Sequence, residues 1–327
     1  MRDPEAPAAT VAPPANLAEA TLTLNRSMPQ NFWGGRMRVI RDIATFQAWR
    51  YFARTPIAFV PTMGALHSGH LSLIRQARSL QRDELSCTVV VSIFVNPLQF
   101  GEGEDFDHYP RPLEDDLALC AEAGVDIVFV PGVELVHDAK TQVVPPKTLT
   151  DRYCGISRPG HFTGVATIVQ KFFNLVQPRV VLFGEKDAQQ LAIIQRMVRD
   201  FNIPVEILPC PTVRDEDGLA MSSRNAYITG ERDRRAALGL QGLLNYVAQC
   251  VQKAGELEAQ PLLQEAVEAV TYAPDFPRER FKLDYIDAVD PVSFEPLAVI
   301  RPGARVLVAA RIGDATRSVR LIDNQAI

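Results

Sequence analysis

Ile57-Ala58-Phe59-Val60-Pro61-Thr62-Met63-Gly64-Ala65-Leu66-His67-Ser68-Gly69-His70 is the stretch from which the rest of the chain is read. Ile57 to Val60 form a short apolar run, read as a strand. A glycine-bearing turn follows, and from Gly69 to Leu80 the pattern is helical. A helix start leaves N–H groups unbonded and presents the positive end of the helix dipole, so this turn is a natural anion seat. Gly64 and Gly69 let backbone approach such a ligand closely. His67 and His70 are three positions apart, so both imidazoles can project from one side of the turn and donate to phosphate oxygens as charge builds. A lone histidine would read as a satisfied surface residue. Two histidines and two glycines at a strand-to-helix junction point instead to phosphate chemistry.

Outward from this stretch, strands and helices alternate. The patterning predicts strands at Thr88 to Phe94, Asp126 to Val130, Val180 to Phe183 and Val205 to Leu208, and helices at Leu113 to Ala123, Thr163 to Val176 and Gln189 to Phe201. That order implies an α/β fold, a Rossmann-like parallel sheet flanked by helices, with its ligand beyond the carboxyl ends of the strands. After about Pro211 the character changes. Two helical stretches, Glu231 to Lys253 and Leu257 to Val270, precede strand-like stretches at Leu283 to Val289, Arg305 to Ile312 and Ser318 to Ile322, a smaller α+β domain. Before Met37 the chain is rich in Pro and Ala without apolar periodicity. The expected division is a disordered tail over 1–36, a Rossmann-like nucleotide- and substrate-binding domain over 37–210, and a C-terminal lid domain over 211–327.

Composition narrows the function. With 327 residues, 47% hydrophobic and 22% charged, the chain is in the globular range and long enough to bury a large core. A net charge of -5 argues against a nucleic-acid-coating surface. Cys87, Cys120, Cys154, Cys210 and Cys250 are scattered and form no C-x-x-C pair, which reads as reduced thiols of a cytoplasmic protein rather than a zinc site. No apolar run of about 18 residues suggests a membrane span, and the N-terminus lacks the basic-then-apolar pattern of a secretory signal.

Two further motifs follow strands. In Phe183-Gly184-Glu185-Lys186-Asp187, Lys186 can neutralise phosphate as a point charge and Asp187 can accept ribose hydroxyls. In Met221-Ser222-Ser223-Arg224, after the acidic loop Arg214-Asp215-Glu216-Asp217-Gly218, two hydroxyls beside a guanidinium make an anion clamp. Alone, the first is an ordinary charged turn and the second a capped helix start. An H-x-G-H element followed by M-S-S-R, however, is the two-part signature of Rossmann-like nucleotidylyl-transfer enzymes. The stretches P-T-M-G-A-L-H-S-G-H, V-S-I-F-V-N-P-L-Q-F-G, F-G-E-K-D-A-Q-Q-L and V-R-D-E-D-G-L-A-M-S-S-R-N are more specific still. From Met37 to the C-terminus the chain resembles the pantothenate synthetase family of the H-x-G-H nucleotidylyl-transferase superfamily.

That resemblance implies an AMP-forming, ATP-dependent ligase that joins pantoate to β-alanine through a pantoyl adenylate. It implies that Met63, Gly64, Ala65, Leu66, His67, Ser68, Gly69 and His70 line the ATP site, with His70 as catalytic proton donor and His67 on phosphate. Gly184, Glu185, Lys186 and Asp187 would hold ribose and phosphates, and Val213 would meet adenine through its backbone. Met221, Ser222, Ser223 and Arg224 would close over the phosphates, and Lys186, Ser222, Ser223 and Arg224 would share in catalysis. Gln99 and Gln190 would bind pantoate, Gln99 also lying beside β-alanine, with Pro97 next to Asn96 stiffening the loop that carries it. Mg²⁺ would accompany ATP, and the assembly would be a homodimer. His161 matches a segment near the family's active site, although it also reads as a structural turn residue. Asp115 and Asp116 could help hold Mg²⁺, but acids in a first helical turn are favoured by the dipole anyway. His108 and His137 read as surface residues. Another nucleotidylyl transferase would share H-x-G-H but not N-P-L-Q-F-G or the long second domain. A non-catalytic binding module would have a damaged phosphate motif, and none of the six catalytic candidates is missing.

Overall fold

In the computed structural model, which describes residues 37–80, 87–101, 103, 104, 106–137 and 140–327, six strands form one parallel sheet. They are β1 (Arg38–Ile40), β2 (Ile57–Thr62), β3 (Thr88–Ile93), β4 (Ile127–Phe129), β5 (Val180–Gly184) and β6 (Glu206–Cys210). Their order is β1-β4-β3-β2-β5-β6, and every neighbouring pair is parallel. The tail expected over 1–36 lies outside the described residues.

Side chains of the central strands alternate between two cores. Ile57, Phe59 and Val90 join one cluster with Phe129 and Phe172, while Ala58, Val60, Val89 and Val91 join another with Leu73 and Ile74. Both faces are therefore dry, which is why the strands read as unbroken apolar runs. Helices α1 (Ile43–Phe52), α2 (Ser68–Ser79), α3 (Leu113–Glu122), α4 (His161–Val176) and α5 (Ala188–Asp200) supply the covering layers. Truncating the fully buried Phe59 to Ala would cost about 3 to 5 kcal/mol.

Ends of the expected elements move by at most two residues, the usual fraying of helix and strand boundaries, except that the last strand runs to Ala326, four residues past its expected end at Ile322. The patterning does not indicate β1 or α1. β1 has only three residues, too few for a period, and α1 buries Phe46 and Trp49 behind an Asp42 cap whose carboxylate accepts from the Thr45 N–H at 2.7 Å.

The C-terminal part is α+β. Helices α6 (Glu231–Ala254) and α7 (Ala259–Thr271) pack on a three-stranded antiparallel sheet of β8 (Phe281–Val289), β10 (Arg305–Gly313) and β11 (Ser318–Ala326), with β10 in the middle. The helix expected from Leu257 starts at Ala259 instead. Leu257 and Glu258 form β7, paired antiparallel with β9 (Val299–Ile300).

Strand order locates the crevice. The chain runs from β2 outward through β3 to β4, then returns to place β5 on the other side of β2. The reversal between β2 and β5 is a topological switch point, where open α/β sheets leave a gap beyond the carboxyl ends. P-T-M-G-A-L-H-S-G-H leaves β2 there, and G-E-K-D leaves β5 beside it.

Candidate active site

At the end of β2 the chain turns through Met63–Leu66 and enters α2 with His67 as N-cap. His67 Nδ1 accepts the Gly69 N–H at 3.1 Å, and His70 Nδ1 accepts the His67 N–H at 3.4 Å, a reciprocal capping box. Gly69 has no side chain because the His67 ring fills that space: a Cβ there would lie 2.8 Å from His67 Cε1. With each Nδ1 used as an acceptor, the ring proton of each neutral imidazole resides on Nε2. Burial pushes His67 down from 6.5 to about 4, helped by the Lys186 charge and opposed by Asp187 and Asp215. Burial, then His67, pushes His70 down to about 3. The pair, with ring centroids 4.1 Å apart, is thus two neutral Nε2–H donors rather than imidazolium ions.

A cavity of about 250 Å³ brings most of the candidate residues together. Met63, His67, Gly69 and His70 line it from the β2 side, and Gly184, Lys186, Asp187 and Gln190 from the β5 side. Val213, Met221, Ser222, Ser223 and Arg224 close it from the segment after β6, and Gln99 from the turn after β3. The Val213 carbonyl accepts the Met221 N–H at 2.9 Å, tying down the start of the M-S-S-R stretch, and within it Ser222 Oγ accepts the Arg224 N–H at 3.3 Å. A larger cavity of about 950 Å³ adjoins it, sharing Arg158, His161, Lys186, Asp187, Gln190, Ser222 and Arg224 and continuing to Arg311 and Arg320 of the C-terminal sheet and Arg317 of the turn between its last two strands.

Other expected residues lie outside both cavities. Gly64, Ala65, Leu66 and Ser68 do not line them, and the Ala65 and Leu66 N–H groups turn toward Asp116. Glu185 faces Arg305 at 3.7 Å. Asp116 Oδ2 accepts from Ala65 at 2.9 Å and Oδ1 from Leu66 at 2.7 Å, so this buried carboxylate is committed to backbone. Asp115 is exposed, and among the described residues no group of three or more His, Cys, Asp or Glu is arranged to hold a metal. Asp116, committed to backbone, and the exposed Asp115 do not together fit a resident Mg²⁺.

Gln99 is nearly buried, its Oε1 accepting from Asn96 at 3.1 Å and its Nε2 donating to Met63 Sδ at 2.9 Å. His161 supports it from behind. Its Nδ1–H donates to the Gln99 carbonyl at 2.8 Å, leaving Nε2 to accept from Arg158 at 3.0 Å. Burial and the Arg158 charge push His161 down to about 4, consistent with that neutral tautomer. Arg158, paired with Glu104 at 2.6 Å, lines both cavities and carries no motif of its own in the sequence, although it stands three residues before His161. His108, read as a surface residue, is exposed but sits at the mouth of the larger cavity; His137 is simply exposed.

Comparison with known proteins gives the family and the fold. Residues 38–326 match the family model of pantoate-beta-alanine ligase. A bifunctional pantoate ligase/cytidylate kinase of Synechococcus elongatus is 49% identical over 88% of this chain and 52% of its own length. The chain thus spans about half the length of the bifunctional relatives it matches. The crystal structure of pantothenate synthetase from Thermus thermophilus is similar at a TM-score of 0.78 and 43% identity, covering 89% of this chain and 99% of that one. Pantoate-beta-alanine ligase from Francisella tularensis, complexed with beta-gamma ATP and beta-alanine, is similar at 0.67 and 33%, covering 89% and 97%.

Proposed function

This chain belongs to the pantoate-beta-alanine ligase family, and from that premise we propose that it condenses pantoate with β-alanine at the expense of ATP, giving pantothenate, AMP and pyrophosphate. The observation that carries the reading is the meeting, at one switch point, of two neutral histidine donors, Lys186 and the M-S-S-R stretch. The pantoate carboxylate attacks the α-phosphorus of ATP and pyrophosphate leaves. Nε2–H of His67 and of His70, the Lys186 ammonium and the Arg224 guanidinium are preorganised donors for the charge on the phosphates. His70, as the proton donor of the site, offers its Nε2–H to the charge that builds on the phosphates. Gln99 and Gln190 orient pantoate. The amine of β-alanine, entering from the larger cavity, then attacks the acyl carbon and AMP leaves.

Within the same reading, residues 37–210 hold the nucleotide and pantoate, residues 211–327 form the lid, and the tail over 1–36 takes no part. Mg²⁺ arrives with the nucleotide. The working form is a cytoplasmic homodimer; among the described residues no helix is long and apolar enough to cross a membrane. The Francisella relative's complex with beta-gamma ATP and beta-alanine supports the substrate assignment. Mass spectrometry of products from ATP, pantoate and β-alanine tests it. AMP, pyrophosphate and pantothenate are expected, and pantoate-dependent ADP would overturn the adenylation route.

A further inference from the structure

We propose that Asp116 is a positioning residue that sets the shape of the Met63–Leu66 loop and thereby aims His67 and His70; the catalytic part of this inference rests on the activity proposed above. Asp116 is 1% exposed and reaches the loop from the first turn of α3, 51 residues further along the chain in its contact with Ala65. Gly64 and Ala65 are consecutive residues with positive φ, 83° and 50°. Adjacent N–H groups in such a turn form a concave nest that binds an anion. Here the anion belongs to the protein: the Asp116 carboxylate takes the Ala65 and Leu66 N–H groups, one on each oxygen. Phosphate recognition is left to the imidazoles and to the groups across the crevice.

The fit is close and directional. A Cβ on Gly64 would lie 2.9 Å from Asp116 Oδ2, so the backbone approaches the carboxylate as nearly as glycine permits. Ala65, by contrast, carries a side chain at a φ that L-residues seldom adopt, and its hydrogen bond to Asp116 helps hold it there. The loop's other anchor is Thr62, whose hydroxyl accepts from the Gly64 N–H at 3.3 Å and donates to the Ser92 carbonyl at 2.6 Å. Leu66 immediately precedes the His67 N-cap, so a shift of the loop turns the first residues of α2 and both Nε2–H vectors.

The experiment is a two-position cycle on the full chain: Asp116→Asn, Ala65→Gly and the double variant, read by pyrophosphate–ATP exchange in the presence of pantoate and by amide hydrogen exchange. Asparagine keeps the shape of the carboxylate but offers an NH₂ where one N–H needs an acceptor. Exchange catalysis by Asp116→Asn is expected to fall by about 100-fold, the scale of a misplacement near 1 Å. The Ala65 and Leu66 amides are expected to exchange with solvent at least about tenfold faster. Glycine at position 65 reaches positive φ without strain, so Asp116→Asn should do less harm in the Ala65→Gly background, by about tenfold. A merely packing role for Asp116 predicts losses that multiply independently, and that result, or unchanged exchange in Asp116→Asn, overturns the proposal. Should the wild-type chain fail to catalyse the exchange at all, the activity reading falls, while the amide data still decide whether Asp116 holds the loop. Should Asp116→Asn fail to fold, the wild-type amides decide: Ala65 and Leu66 must be protected as well as β2, and solvent-rate exchange at either overturns it.

Discussion

At the scale of single residues, hydrogen bonding fixes which proton each imidazole carries. His67 and His70 both spend Nδ1 on main-chain N–H groups, and burial holds them neutral to about 4 and about 3. Activity should therefore show no inflection near 6.5 that belongs to these histidines. Imidazole nitrogen NMR checks the claim directly: both rings should remain Nε2–H tautomers down to pH 5, and an imidazolium signal at pH 6 would refute it. Stability behaves differently. Between the native values and 6.5 the unfolded chain binds more protons than the folded one, so stability falls as pH drops from 6.5 toward 4 and is unaffected above that window. Replacing His70 by Ala removes an N-terminal capping group, costing about 1 kcal/mol of stability. Its catalytic cost should be larger, about 10² to 10³ in kcat for adenylate formation, because a preorganised donor is lost. Neighbouring glutamines make the opposite contrast. Gln189, 6% exposed, accepts the Cys154 N–H and donates to the Leu149 and Arg152 carbonyls, so Gln189→Leu should cost about 3 kcal/mol in denaturant unfolding. Gln190 lines both cavities, so Gln190→Ala should spare stability and raise KM for pantoate. Equal unfolding midpoints for the two variants would refute the distinction.

At the scale of elements, one helix crossing sets the place of Gln99. Near its start, α4 passes so close to the turn Pro97–Gln99 that a Cβ on Gly164 would sit 2.0 Å from the Leu98 carbonyl oxygen. Asn96 bridges the two, donating to the Gly164 carbonyl at 3.2 Å and to Gln99 Oε1 at 3.1 Å. Gly164→Ala should push the turn outward, lowering stability by about 1 to 3 kcal/mol through overpacking. KM for pantoate should rise more than KM for ATP, and a folded variant with unchanged pantoate KM would show that the crossing does not seat Gln99. N-P-L-Q-F-G is legible as a stiffened loop, but its partner is not, because Gly164 is 65 residues beyond Gln99 and looks like an ordinary helical glycine. The same limit applies elsewhere. Strands β2, β3 and β5 are visible because two-sided burial writes an unbroken apolar run. Three-residue β1 and two-residue β7 carry no period, and Asp116 reads as a local helix-dipole residue because nothing local reveals a contact with Ala65 and Leu66. Periodicity reports which face is dry; it does not report which distant polar group meets which backbone.

At the scale of the whole molecule, the C-terminal sheet reaches back to the turn that carries Lys186. Val289, Phe294 and Leu307 join the same apolar cluster as Phe59 and Phe129 of the parallel sheet, and Tyr153 donates to Asp287 at 2.9 Å. The polar part of the junction is more specific. Asn324 on β11, 4% exposed, donates through Nδ2 to the carbonyls of Glu185 at 2.9 Å and Lys186 at 2.8 Å, while its Oδ1 accepts from Arg305. Arg305 also approaches Glu185 at 3.7 Å, and the neighbouring Asp323 is gripped by Arg214 at 2.6 and 3.0 Å. The candidate phosphate-binding cation therefore stands on backbone held from the other sheet. Asn324→Asp isolates that link. The side chain keeps its shape and its Arg305 partner, but a carboxylate oxygen now faces two carbonyl oxygens and both donations are lost. Unfolding free energy should drop by about 1 to 3 kcal/mol for the groups left unpaired. The pyrophosphate–ATP exchange rate at saturating substrate should drop by about tenfold to 100-fold, because Lys186 is displaced rather than removed. KM for pantoate should move less than the exchange rate, since Gln99 is anchored by α4 on the far side of the crevice and only Gln190, four residues after Lys186, shares the disturbed turn. Lys186→Ala then supplies the reference: combined with Asn324→Asp it should lose scarcely more than Lys186→Ala alone, because the clasp has nothing left to position. Independent, multiplicative losses in the double variant would mean that Asn324 acts on some other group and that the junction does not control Lys186.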